Sequence, residues 1–436
     1  MKAISIAVLI LVLVASVALL LTVVRRMALL QDDLPPPPPP GGAGLIRRDV
    51  RATPVDRGGV PPLPEPASPG VPGRASSRVL AVDRGTDAIE REFVMRFFNA
   101  GDREAMAAVV ARHGGAVLAR LGAGNTIRVR LPEGVTLDRL FAEGPRPIDL
   151  SANHLVKLPP PPQSAPRAED PRGYMAFGSR LFEWLGVEGD RSSWGRGVTV
   201  AVLDTGMSAY AGLPEANITR TSVTGRDGAG ELDPVGHGTA IGSLLLGAAD
   251  GVQGLIPAVD LLSVQVFADN TAGDAFTVAQ GIVEAVNRGA DVVSLSLGTR
   301  GDNLALREAV QYALDRDVAV VAAVGNDGVE GVLYPARYDG VVGVGAVDAN
   351  AWHLFFSNRG EEVDLAAPGF GIEVSGPNAE QGWFSGTSAA TPLVSGTLAL
   401  LLAQNPSLSG DEAVALVLGL SSDEGEPCHD AEYGEG

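Results

Sequence analysis

Cysteine is nearly missing from this chain. Cys428 stands alone, which excludes an intramolecular disulfide and any cysteine-rich zinc site. A chain without disulfides fits either redox compartment, so location stays open. Lysine is as scarce, with only Lys2 and Lys157, so the positive charge rests on arginine. Basic residues as a whole are short: 33 stand against 52 acidic ones, for a net charge of −19. That balance argues against nucleic acid as a partner, which needs a basic face. Of the five histidines, His113, His154 and His353 have no partner visible in the sequence. Cys428 and His429, adjacent in an acidic tail, are too few for a metal site.

Glycine and apolar residues are abundant instead, and 436 residues leave room for two or three domains. Residues 3–24 hold 22 residues without a charge, long enough to cross a bilayer as a helix. No clean small-x-small cleavage site precedes Arg25 and Arg26, so residues 1–26 read as an uncleaved membrane anchor rather than a removed signal. Residues 27–77, with "LPPPPPPGGAG", read as a Pro/Gly-rich spacer. Residues 78–158 alternate strand and helix: "REFVMRFF", "DREAMAAVVARHG", "TIRVRL", "TLDRLFAEG" and "NHLVKL". That order predicts a small ferredoxin-like α/β domain. Residues 159–175 form a second Pro-rich linker, and 176–436 a large domain.

The large domain has short, nearly continuous Val-rich runs: "GVTVAVLD", "VDLLSVQVF", "ADVVSLSLG", "DVAVVAAVGN" and "GVVGVGAV". Helical patterns alternate with them. The pattern predicts a doubly wound, mostly parallel α/β sheet, whose ligands bind beyond the carboxyl ends of its strands. On that rim fall four polar residues. Asp204 ends "VTVAVLD", His237 in "DPVGHG" precedes a helix, Asn326 follows "VAVVAAVG", and Ser388 lies in "FSGTSAATPLVSG". Each alone has an ordinary reading: a turn aspartate, a structural histidine, a turn asparagine, a capping serine. Together they supply what acyl transfer needs. A hydroxyl requires a neighbouring imidazole, the imidazole requires a carboxylate, and the developing oxyanion requires donors already in place. Asn326 and the Ser388 N–H are the candidate donors.

"AVLDTG", "GHGT" and "GTSAATP", in the chain order Asp, His, Ser, resemble the three motifs of subtilisin-family serine proteases, and "SLSLG", "AAVGNDG", "YPARY" and "DLAAPG" resemble further segments of that family. The resemblance implies a serine endopeptidase with Asp204, His237 and Ser388 as triad and Asn326 with Ser388 as oxyanion hole. It implies that Ser296, Leu297 and Gly298 pair with an extended protein or peptide substrate, and that with Ala323, Val324 and Gly325 they wall the pocket for the residue before the cut. Leu333 falls at the pocket floor, where it either shallows the pocket or turns into the core. The family carries a propeptide of about the size of residues 78–158, so that unit is expected to bind the catalytic domain intramolecularly, the alternative being a separate binding domain. No cofactor is implied. Relatives often hold structural calcium, yet no loop here has convincing ligand spacing. An anchored protease of this type is expected outside the cytoplasm, periplasmic or extracellular. Two other readings use the same rim, a silent peptide-binding module and an esterase. The full set of polar residues and the peptide-pairing "SLSLG" favour the protease.

Overall fold

The computed structural model describes residues 87–157, 173–187, 189–225, 233, 235–248, 254–267, 272–425 and 428–436, all within one unit of the chain. The apolar run 3–24, the spacer 27–77 and most of the second Pro-rich linker lie outside them. Among the described residues no helix is long and apolar enough to cross a membrane.

The first part consists of β1 (Ala88–Arg96), α1 (Ala100–Arg112), β2 (Ala116–Leu121), β3 (Thr126–Arg130), α2 (Leu137–Glu143) and β4 (Asp149–Lys157). Asn99 starts α1 by accepting from the Asp102 N–H, and Thr136 starts α2 through the Arg139 N–H. The strands pair antiparallel in the order β2-β3-β1-β4. This is the β-α-β-β-α-β arrangement of ferredoxin-like domains. The sequence reading lacked β2. Its residues "AVLARL" are exposed or half-exposed except for Leu121, and they mix small, apolar and charged types, so the period-2 signal is weak. Strand alternation divides β1 between two cores. Phe93 and Met95 pack with Met106 and Val110 of α1 and Leu140 of α2. Val94, facing the other way, joins a core of the large domain.

That large domain is built on seven parallel strands in the order β12-β11-β10-β9-β5-β7-β6. They are β5 (Thr199–Asp204), β6 (Ile218–Ser222), β7 (Asp260–Gln265), β9 (Val292–Leu295), β10 (Ala319–Ala323), β11 (Val341–Val347) and β12 (Leu365–Pro368). Edge strands β6 and β12 escaped the sequence reading because "ITRTS" is polar and "LAAP" is short. The Val-rich strands are buried on both faces, as their composition predicts. Val200 and Val202 face one core, and Ala201 and Leu203 the other. On the first face lie α4 (His237–Leu246) and α7 (Thr387–Gln404). On the second lie α5 (Ala275–Asn287) and α6 (Leu304–Leu314). The chain runs from central β5 to β6 and β7 on one side, then crosses to β9 and onward. The direction of winding therefore reverses beside β5, where open α/β sheets place their ligands. The short α3 (Leu181–Trp184), the hairpin β13 (Ile372–Ser375) and β14 (Gln381–Phe384), and α8 (Gly410–Gly419) complete the domain.

The two parts share a strand edge. β4 pairs antiparallel with β8 (Ala272–Asp274), with Leu155 opposite Asp274 and Val156 opposite Gly273. At its end Lys157 forms an antiparallel bridge with Gly298. Polar groups of the first part also close the starts of two helices of the second. Asn153 Oδ1 accepts from the Phe276 N–H of α5 at 3.3 Å, and Ser151 Oγ from the Leu304 N–H of α6 at 3.1 Å. Arg128 reaches Asp274, the capping residue of α5, at 2.8 Å.

Candidate active site

Three neighbouring strands, β5, β9 and β10, deliver Asp204, Ser296 and Asn326 to one rim. Two helices on one face of the sheet deliver the rest: His237 is the first residue of α4 and Ser388 the second of α7. The Asp204 and His237 side chains meet because α4 crowds the end of β5. A Cβ added at Gly238 would lie 2.1 Å from the Gly206 carbonyl oxygen, so only glycine after the histidine lets the helix come this close.

His237 Nδ1 lies 2.9 Å from Asp204 Oδ1 and 3.0 Å from Oδ2. Against a carboxylate Nδ1 carries the proton, which leaves Nε2 as the bare acceptor. Nε2 is buried and has no hydrogen-bond partner. The Phe384 ring stands edge-on to the imidazole at 5.1 Å and limits its tilt. Asp204 also accepts from the Thr205 N–H at 2.7 Å. Asp204, His237 and Ser388 are all essentially buried.

Ser388 is not a helix cap, and neither is Thr387. Gly386, at φ +137°, holds the N-cap position of α7. Ser388 instead makes a reciprocal pair with Ser296: Ser388 Oγ donates to the Ser296 carbonyl at 3.3 Å, and Ser296 Oγ donates to the Ser388 carbonyl at 2.9 Å. Pro392 explains the second bond. It lies four residues after Ser388 inside α7 and has no N–H, so the Ser388 carbonyl is free for Ser296.

Asn326 is half-buried, and its amide oxygen accepts from the Thr387 N–H at 2.8 Å and the Thr387 hydroxyl at 3.0 Å. Those bonds fix the orientation of the amide and turn its NH₂ outward. The Ser388 N–H, in the first turn of α7, has no intrahelical acceptor. A Cβ built on Gly386 would lie 3.2 Å from Asn326 Nδ2 and 3.6 Å from the Ser388 nitrogen. The missing side chain thus leaves a space flanked by two donors.

Beyond them, Leu297 and Val324 turn their side chains into the core. Leu333 does not turn away. A Cβ on Gly298 would lie 2.8 Å from Leu333 Cβ, and one on Gly325 would lie 2.8 Å from its Cγ and Cδ1. Leu333 therefore fills the gap between segments 296–298 and 323–325. Among the described residues no group of three or more Asp, Glu, His or Cys side chains could hold a metal ion. Sequence reasoning missed Thr387, Thr205 and Asp233, whose polar contacts knit the site, and Gly386, whose missing side chain leaves the space beside Asn326. The nearest available signal was position, since each lies within four residues of a motif residue.

Known proteins resemble this chain in sequence and in fold. Residues 195–436 match the Subtilase family (Peptidase S8). Subtilisin Savinase of Lederbergia lenta is 38% identical over 222 residues, which is 50% of this chain and 81% of that protein. An alkaline protease of Shouchella clausii is also 38% identical over 222 residues, and there the match spans 58% of the relative's length. The solved structure of fervidolysin from Fervidobacterium pennivorans, a keratinolytic enzyme related to subtilisin, has a TM-score of 0.65 over 81% of this chain and 60% of its own. At 21% identity that likeness is one of fold. The family match takes in more than half of the chain, with Asp204, His237 and Ser388 all inside it, and this protein belongs to the subtilase family of serine proteases.

Proposed function

We propose that this chain cleaves peptide bonds with Ser388 as nucleophile, His237 as base and then acid, and Asp204 as the carboxylate that orients and stabilises the imidazole. One observation carries the assignment: His237 is held by Asp204 through Nδ1, while Nε2 has no partner. Attack requires Ser388 Oγ to leave the Ser296 carbonyl and give its proton to Nε2. The hydroxyl then adds to the scissile carbonyl, and His237 returns the proton to the leaving amine, which gives the acyl-enzyme; water repeats the sequence to release the acid. The oxyanion forms between Asn326 Nδ2 and the Ser388 N–H, in the space that Gly386 leaves open. A fluorophosphonate probe tests this. Labelling of the wild type and none of Ser388→Ala supports the reading; equal labelling of both defeats it.

The substrate is a protein or peptide in extended form, paired along Ser296 to Gly298. The pocket between Ser296, Leu297 and Gly298 on one wall and Ala323, Val324 and Gly325 on the other takes the residue before the cut. Leu333 shortens that pocket, which favours small or medium apolar residues there. The N-terminal domain is a propeptide-like cover of the same cleft. Support comes from Lys157, the last residue of β4, which is already paired with Gly298. Residues 3–24 anchor the chain in a membrane, with the Pro/Gly-rich spacer holding the protease on the extracytoplasmic side. Carbonate-resistant membrane association that is lost when residues 1–26 are removed would support the anchor; unchanged solubility would defeat it.

A further inference from the structure

Asp233 lies four residues before His237 and is 2% exposed. Its carboxylate accepts from the Gly236 N–H at 2.9 Å, the Thr239 N–H at 2.8 Å, the Thr239 hydroxyl at 2.8 Å and the Thr205 hydroxyl at 2.8 Å. The Thr239 oxygen is itself an acceptor for the Ser208 N–H at 3.0 Å, so its proton points to Asp233. Each of these partners has a proton to give, an arrangement suited to an ionised carboxylate. Gly236, the N-cap of α4, has no side chain to close the helix, and Asp233 does so from outside, at the positive end of the helix dipole. Burial still raises its carboxyl above the ordinary 3.8, opposed by the Thr239 N–H and reinforced by the charge of Asp204.

The contact with Thr205 goes beyond capping. The Thr205 hydroxyl stands between two carboxylates, 2.8 Å from Asp233 Oδ1 and 3.1 Å from Asp204 Oδ1, and it accepts the Gly238 N–H at 3.1 Å. It has one proton for two anions. When that proton goes to Asp233, Asp204 keeps more of its charge for the His237 imidazole.

We propose that Asp233 is a positioning residue for the proton-transfer pair, holding the Thr205 proton away from Asp204 and placing a second buried negative charge behind the imidazolium that His237 becomes. The proposal rests on the reading of His237 as the base. A residue that only capped α4 would affect folding yet leave the chemistry of each folded molecule unchanged.

The test uses the full chain, with active sites counted by fluorophosphonate, and measures kcat and KM on a peptide substrate from pH 5 to 9. In Asp233→Asn, kcat per active site falls tenfold or more while KM stays within twofold. The acidic limb of kcat/KM moves down by about half a unit or more, because a negative charge that favoured the imidazolium is gone. Thr205→Val also lowers kcat, because buried Asp233 loses a donor to its carboxylate and holds its charge behind the imidazolium less firmly, and Thr205→Ser, which restores the hydroxyl, recovers most of that loss. Wild-type kcat and an unmoved limb in Asp233→Asn overturn the proposal. If Asp233→Asn does not fold, the two Thr205 variants decide, and equal kcat for Val and Ser overturns it. Retained activity in Ser388→Ala would instead defeat the underlying reading, and this proposal with it.

Discussion

Thr387 holds Asn326 by two hydrogen bonds to one oxygen, at 2.8 Å from its N–H and 3.0 Å from its hydroxyl. The residue before Ser388 thereby orients an amide that the sequence places 61 positions earlier. Asn326→Leu should keep the fold and KM and lose about 10²–10³ in kcat, a magnitude already known for such an asparagine in a subtilisin. Thr387→Val, which keeps the N–H contact, should lose about tenfold or less, consistent with one neutral hydrogen bond. Steady-state kinetics on one peptide substrate checks both. Thr387→Val falling as far as Asn326→Leu would mean the hydroxyl does more than orient the amide.

Gly386→Ala should fold less stably and turn over poorly. The φ of +137° is strained for alanine, by about 1–3 kcal/mol, and the new methyl enters the space between Asn326 Nδ2 and the Ser388 N–H. The expected signature is a loss in kcat larger than the loss in folded fraction, read by active-site titration beside circular dichroism.

Leu333→Gly should deepen the pocket between Gly298 and Gly325. The expected outcome is a rise of about tenfold or more in kcat/KM for Phe over Ala before the scissile bond, in keeping with the worth of a few buried methylenes. Competition between paired Ala and Phe peptides measures it. An unchanged ratio would show that Leu333 does not limit the pocket.

Glu92, buried in the N-terminal sheet, accepts from Arg128 Nε at 2.7 Å, Arg130 Nε at 3.0 Å and Asn153 Nδ2 at 3.1 Å. Burial raises its carboxyl, but these partners outweigh it and hold the group below its ordinary 4.5. A carboxyl lowered in the folded state contributes stability above its unfolded value and loses it as pH falls through the folded one. Glu92→Gln should therefore lower the thermal midpoint at pH 7, and the gap to wild type should narrow as pH drops below about 4.5. Melting curves from pH 3 to 7 provide the comparison.

Much of the fold and of the site is legible in the sequence. The Val-rich runs had to be two-sided strands, and Asp204, His237, Asn326 and Ser388 were visible at strand ends and helix starts. Short or polar elements such as β2, β6 and β12 were not, because partners rather than composition define them. The supporting contacts were hidden for the same reason. Nothing in "GTSAATP" announces that Pro392 frees a carbonyl for Ser296, or that Thr387 fixes an amide just beyond the end of β10. Leu333 is placed at the pocket floor by resemblance alone, and its approach to Gly298 and Gly325 is visible only in the fold.

The amide protons of Phe276 and Leu304, each bonded to a side chain of the N-terminal domain, make convenient sentinels. While that domain stays seated, their exchange with deuterated water should be slow. Were it to leave, both helix starts would meet solvent, and a peptide-level exchange experiment would register the change without measuring any proteolysis.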